Sequence, residues 1–197
     1  SSAELKDKTD DKALLTDAPE NVPVELSQSS KGQCFESAHE GYEAEYGLTQ
    51  VRKLDLAADG RSLSGEDMLV TLSKRLESQF DRAMKAAGPG GIPFDIRFIL
   101  HPDVDATLDM GGMAVSIALK SGELWVFRGD GKTNIAIDPG FYLEKSRIKP
   151  RATKQIVLSG IVMGYATRIR WSLAKAQHTP IGIRDLERDA MEPVINT

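Results

Sequence analysis

Phe94-Asp95-Ile96-Arg97-Phe98-Ile99-Leu100 is the stretch that decides the fold class. Successive side chains of an extended chain point to opposite sides. Phe94, Ile96, Phe98 and Leu100 therefore share one face, with Asp95 and Arg97 on the other. This period of two is the mark of a half-buried strand. It returns at 165–174, where Tyr165, Thr167, Ile169, Trp171 and Leu173 oppose Ala166, Arg168, Arg170 and Ser172. Residues 113–119 alternate large with small. Residues 124–127 are apolar on both sides, as a central strand between two layers must be. Shorter candidates lie at 22–26, 34–39, 50–56, 68–72, 134–137, 141–143 and 155–158.

Glycine-rich turns fall between these runs. Asp59-Gly60 reads as a hairpin turn, and Met110-Gly111-Gly112, Ser121-Gly122, Gly129-Asp130-Gly131 and Asp138-Pro139-Gly140 punctuate the second half. About a dozen short strands at this spacing predict an all-β chain, an antiparallel two-sheet, supersandwich-like fold. One segment breaks the pattern. Leu72, Leu76, Phe80 and Met84 recur every four residues, the alanines near them favour helix, and Gly88-Pro89-Gly90-Gly91 stops the run. The spacing predicts a short helical excursion over 74–87. Residues 1–20 and 186–197 are charged and aperiodic and read as weakly ordered, leaving 21–185 for the sandwich domain.

Composition excludes several functional classes. With 41% hydrophobic residues the chain is too apolar to be disordered. No window approaches the ~18 uninterrupted apolar residues of a membrane span. A net charge of −4 argues against a dedicated nucleic-acid-binding domain. One cysteine, Cys34, permits no internal disulfide and no zinc cluster, and its place in a strand suggests a small core residue. It fits a cytoplasmic or a periplasmic compartment. No metal or cofactor signature appears: Asp103, Asp105 and Asp109 lack the glycine and distal glutamate of a calcium loop. Gly129-Asp130-Gly131-Lys132-Thr133 lacks the upstream glycine and following helix of a phosphate loop and reads as a hairpin turn.

Two features carry candidate chemistry. His39 and Tyr42, in Ala38-His39-Glu40-Gly41-Tyr42, lie where a strand runs into a turn, and both residue types transfer protons. The plainer alternative is a histidine bonded to its own turn with Tyr42 packed over it. The second feature is the run Lys145, Arg147, Lys149 and Arg151, spaced by two, which places four cations on one face of an extended segment. Such a stripe on an acidic chain suits a polyanion such as an acidic polysaccharide. It also suits an edge strand guarded against aggregation. Trp125 and Trp171 alternate with apolar partners and read as core.

Ala38-His39-Glu40-Gly41-Tyr42, Tyr46-Gly47-Leu48, Arg52-Lys53-Leu54 and Asp59-Gly60-Arg61-Ser62-Leu63-Ser64-Gly65-Glu66-Asp67 together resemble the C-terminal region of bacterial heparinase II/III-like proteins. Pro93 to Phe98, His101-Pro102, Leu124 to Arg128 and Arg151 to Leu158 continue the likeness. The resemblance implies a β-sandwich that follows an N-terminal (α/α) toroid in a carbon–oxygen lyase. Such an enzyme cleaves uronic-acid-containing polysaccharide by β-elimination. That reaction needs a group to neutralise the carboxylate, a base for the C5 proton and an acid for the leaving oxygen. In the family these come mainly from the toroid and from a histidine expected upstream of residue 1. Where many relatives carry a histidine, this chain has Gln50. The expectation is a domain that forms one wall of the cleft and is inactive alone, with an exposed apolar face that drives dimerisation of the isolated piece. The alternatives are a non-catalytic structural or carbohydrate-binding module, and a self-contained sugar-processing enzyme such as a mutarotase.

Overall fold

The computed structural model describes residues 5–6, 14–15, 19, 21–145 and 149–176. In chain order its elements are β1 (Leu5–Lys6), β2 (Leu14–Leu15), β3 (Val24–Ser29), β4 (Gly32–Tyr42), α1 (Glu43–Tyr46), β5 (Leu48–Ala57), β6 (Ser62–Val70) and α2 (Lys74–Ala87). There follow β7 (Ile92–Ile99), β8 (Asp105–Asp109), β9 (Ala114–Ala118), β10 (Leu124–Gly129), β11 (Asn134–Tyr142), β12 (Arg151–Val162) and β13 (Ala166–Lys175). The fold is mostly β, with two main antiparallel sheets as in a β-sandwich. The chain divides into two compact units, one of Ser1–Phe94 with Gly160–Arg170, the other of Asp95–Ser159 with Trp171–Thr197. Apart from the pairing of β1 with β2, the expected weakly ordered segment 1–20 lies almost wholly outside the described residues, as do 177–185 and the tail 186–197.

In the first unit the strands run in the order β3-β4-β5-β6-β13. Asp59-Gly60 forms the tight link between β5 and β6, with Gly60 N–H donating to the Ala57 carbonyl at 2.9 Å. The predicted helix is α2. Ser73 caps it, its Oγ accepting from Leu76 N–H at 3.3 Å, so Leu72 falls before the helix and is exposed rather than part of the apolar stripe. Leu76 and Phe80 are buried, and Phe80 packs with Leu48, Ile92 and Val162 as the core, flanked by Tyr42, Tyr46, Leu69, Met84 and Phe94. Gly47, at φ 68°, ends α1 and lets it lie against the backbone of α2. Gln79 of α2 donates to the carbonyls of Ala44 and Glu45 at 2.8 and 3.1 Å, capping that short turn.

In the second unit the order is β13-β10-β9-β8, and the other sheet runs β11-β12-β7. The decisive stretch behaves as its pattern requires: Phe94, Ile96, Phe98 and Leu100 are half-buried while Asp95, Arg97 and Ile99 are exposed. Phe98 of β7 meets Trp171 of β13 edge-on at 4.8 Å and Phe127 of β10 at 5.0 Å, so the two sheets share an aromatic core here. Two turn expectations fail. Asp138-Pro139-Gly140 lies inside β11, where Pro139 pairs with Lys154. β11 is the edge of its sheet, and an edge strand can carry a residue with no N–H to give. Gly129-Asp130-Gly131 does not close a hairpin either, because β10 and β11 belong to different sheets.

Candidate functional site

The site candidate in the first unit depends on one extra residue. β4 pairs with β5 so that His39 faces Gln50 and Tyr42 faces Leu48, three steps on one strand against two on the other. A regular strand puts residues three apart on opposite faces. A bulge here returns Tyr42 to the face of His39. Their rings meet at 5.4 Å, tilted by 45°.

His39 Nδ1 accepts the Gly41 N–H at 3.2 Å. A backbone N–H can only donate, so Nδ1 is the unprotonated nitrogen and the neutral ring carries its proton on Nε2. Burial holds the imidazole below its usual value, Arg52 adds to this, and Glu40 opposes it. Burial likewise pushes the Tyr42 phenol up, against a smaller opposite pull from Arg52. At neutral pH both side chains are uncharged and both present a hydrogen to donate.

Arg52 follows Gln50 on the same face of β5, a diagonal neighbour of His39 across the β4–β5 ladder. Opposite it on β6 stands Asp67, whose side chain is 6% exposed. Asp67 Oδ1 accepts from Arg52 Nε at 2.7 Å and from Gln50 Nε2 at 3.1 Å. These charge-assisted bonds fix the direction of the guanidinium. Sequence reasoning gave no role to Arg52 or Asp67. Their signal is a break in pattern: Gln50 and Arg52 are in phase with Leu48, Leu54 and Leu56, and Asp67 is in phase with Leu63 and Leu69. Polar groups at positions that an alternating strand reserves for apolar ones must have partners.

Of the four cations of the second feature, three lie among the described residues. Lys145 lies in a turn, Arg147 lies outside the described residues, and Lys149 sits in a bend before β12. Arg151 begins β12 and is held between Asp103 at 3.0 Å and Glu144 at 3.2 Å. Asp103 also takes Lys120 at 3.0 Å, Asp105 takes Lys154 at 3.0 Å, and Asp109 accepts from Ser116. Arg168 and Arg170 both reach Glu66, at 3.4 and 2.8 Å. Cys34 is half-buried rather than in the core, because its face of β4 is open; Asp55 beside it pushes the thiol up. Trp171 is buried, while Trp125 is half-buried and donates to Glu123 at 3.2 Å. Among the described residues no three His, Cys, Asp or Glu side chains gather as a metal site. No described helix is long and apolar enough to cross a membrane.

A family model described as "Heparinase II/III-like, C-terminal" matches residues 5–172. FtsZ-localized protein C of Caulobacter vibrioides (strain NA1000 / CB15N) is 32% identical over 165 residues, 83% of this chain and 27% of that protein. The chain thus spans about a quarter of the length of this curated relative. Among solved structures, heparan sulfate lyase HepC from Pedobacter heparinus superposes with a TM-score of 0.59 at 9% identity, over 80% of this chain and 22% of that one. The heparinase III-BT4657 gene product gives 0.58 at 9% identity, over the same shares. At such identities the likeness is one of fold.

Proposed function

The chain belongs to the heparinase II/III-like C-terminal family, and from that premise we propose that it is a non-cleaving sandwich forming one wall of a groove for acidic polysaccharide. The rest of a longer lyase-like protein, with an N-terminal (α/α) toroid, supplies the opposite wall and the bond-breaking groups. The observation that carries this reading is the chemistry of the His39 face. β-Elimination needs a base, and neutral His39 has its one basic lone pair engaged by Gly41 N–H. Tyr42 is kept as a phenol by burial. Asp67 is buried and committed to Gln50 and Arg52. The face can hold an anion and does not take a proton from one. Lys145 and Lys149 add positive charge to the surface of the second unit, with Arg147 between them in sequence.

The test is to pass the 197-residue chain over immobilised heparin and, separately, to assay it for the ultraviolet absorbance of unsaturated uronides. Retention without product is the expected result. Cleavage by the chain alone, or no retention at low salt, overturns the reading. Dimerisation of the isolated chain is part of the same proposal; exposed Leu26 on edge strand β3 of the first unit and, separately, exposed Phe141 on edge strand β11 of the second are apolar positions that would favour it.

The 32% match to FtsZ-localized protein C supports a second reading, in which the sandwich is part of a protein that localizes with FtsZ. Co-sedimentation of the chain with FtsZ polymers, without retention on heparin, selects it over the first.

A further inference from the structure

We propose that β3 is the contact strand of a symmetric dimer, in which two copies of the chain pair β3 with β3 antiparallel, Leu26 opposite Leu26. The inference rests on the dimerisation proposed above and fixes its surface and register.

Each main sheet has two edges, and three of these four strands carry devices against pairing with another chain. β11 holds Pro139, β7 holds Pro93 with Asp95 and Arg97, and the five-residue β8 begins and ends in aspartate. β3 has no proline and a single charge, Glu25, and all six of its residues are exposed, Leu26 by 75%. Its backbone groups suit a partner. Ser30-Lys31 is a two-residue turn, so the flanking pair Ser29 and Gly32 is a hydrogen-bonded one, as are Ser27 with Cys34 and Glu25 with Glu36 further along. Between them, Val24, Leu26 and Gln28 turn their N–H and C=O groups away from β4, towards the open side.

The side chains set the register. Val24 and Leu26 share a face of the sheet with Phe35 and Leu54. A two-fold axis perpendicular to the sheet keeps that face on one side in both copies. With Leu26 on the axis, its N–H and C=O meet those of the other Leu26, and Val24 is paired with Gln28 in the same way. Glu25 then lies opposite Ser27. Sliding the strands one way opposes Glu25 to Glu25, and sliding them the other way sets Leu26 against Gln28 and carries Val24 past the end of the strand. Six residues of edge make a small interface, so the dimer is weak and depends on concentration.

The test is sedimentation equilibrium of the 197-residue chain over a range of concentrations, beside Leu26→Lys, which sets like charges across the axis, and Phe141→Lys on edge strand β11. Circular dichroism establishes that both variants are folded. Wild type and Phe141→Lys are expected to dimerise with equal affinity, and Leu26→Lys about tenfold more weakly. In a Cys34→Ser chain, Leu26→Cys is expected to form a dimer disulfide on mild oxidation and Glu25→Cys is not. A chain that stays monomeric overturns both the dimer and its surface. Dimerisation kept in Leu26→Lys and lost in Phe141→Lys retains the dimer and overturns β3 as its surface. Cross-linking through Glu25→Cys in place of Leu26→Cys overturns the register. Heparin retention is read on the same samples, so the wall reading stands or falls separately.

Discussion

Arg52 in the first unit and Arg151 in the second both hold carboxylates that lie outside their own strands, and they do so at different depths. Arg52 binds Asp67, whose side chain is 6% exposed. Arg151 lies between Asp103 and Glu144, which keep 37% and 28% of their surface. The bond lengths differ little. What differs is the cost of leaving the acid alone. A buried carboxylate without its cation has no water to turn to, whereas an exposed one is solvated at once. The first ion pair is therefore a condition of the fold, and the second is an adjustment of the surface.

The largest effect expected from this contrast is at the glycines. Gly47, at φ 68°, abuts the backbone of α2 at Leu76 and Phe80, so Gly47→Ala adds a backbone clash to left-handed strain. A loss on the order of 3 kcal/mol or more in urea denaturation is expected. Next comes Arg52→Met, which takes the guanidinium away from buried Asp67 and leaves the Gln50 bond in place. About 2 kcal/mol is expected, below the ~3–5 of a fully buried pair because Arg52 is itself a third exposed. A loss under about 0.5 kcal/mol would erase the distinction between the two units. Gly131→Ala in the second unit meets open space, so only the strain of its φ of 80° remains, about 1 kcal/mol. Arg151→Met is expected to shift the urea midpoint least among these variants, and raising the salt concentration should shrink the difference further. A shift equal to that of Arg52→Met would show that the exposed network is as structural as the buried pair.

The pH dependence sharpens the same contrast. His39 has a folded midpoint below the usual 6.5, chiefly through burial. As pH falls past 6.5 the unfolded chain binds this proton first, so stability falls with it. The contribution is whole above pH 6.5 and is lost as pH drops through the folded midpoint. Asp103 is held below its usual 3.8, first by Lys120 and then by Arg151, so its contribution survives until pH falls below 3.8. An imidazole titration followed by NMR should place the His39 midpoint below 6.5. A midpoint at or above that value contradicts the burial described for it.

The legibility of the sequence follows from how local each determinant is. The helix over Lys74–Ala87 was readable because Leu76, Phe80 and Met84 repeat within the segment that they shape and Gly88-Pro89 ends it. The alternation of 94–100 was readable for the same reason. Asp138-Pro139-Gly140 misled because turn chemistry and edge-strand chemistry use the same residues, and only the sheet order tells them apart. His39 and Tyr42 stand close in the chain and could be noticed together. Arg52 and Asp67 meet across a ladder whose register no short window contains. Their trace, polar residues in phase with leucines, becomes evidence only when the buried face of the sheet is known.

The meeting of His39 with Tyr42 depends on parity, since the rung from Gln50 to Leu48 is matched by one residue too many on the facing strand. Deleting a single codon there, Glu40 for instance, would remove the surplus residue, leave every other pairing of β4 and β5 available and set the two side chains two apart on an unbroken strand, still on one face. A relative differing from this chain by that one indel would keep the architecture and the neighbourhood and lose only the kink. What the encounter requires is that the two residues face alternate rungs of β5, however many codons lie between them.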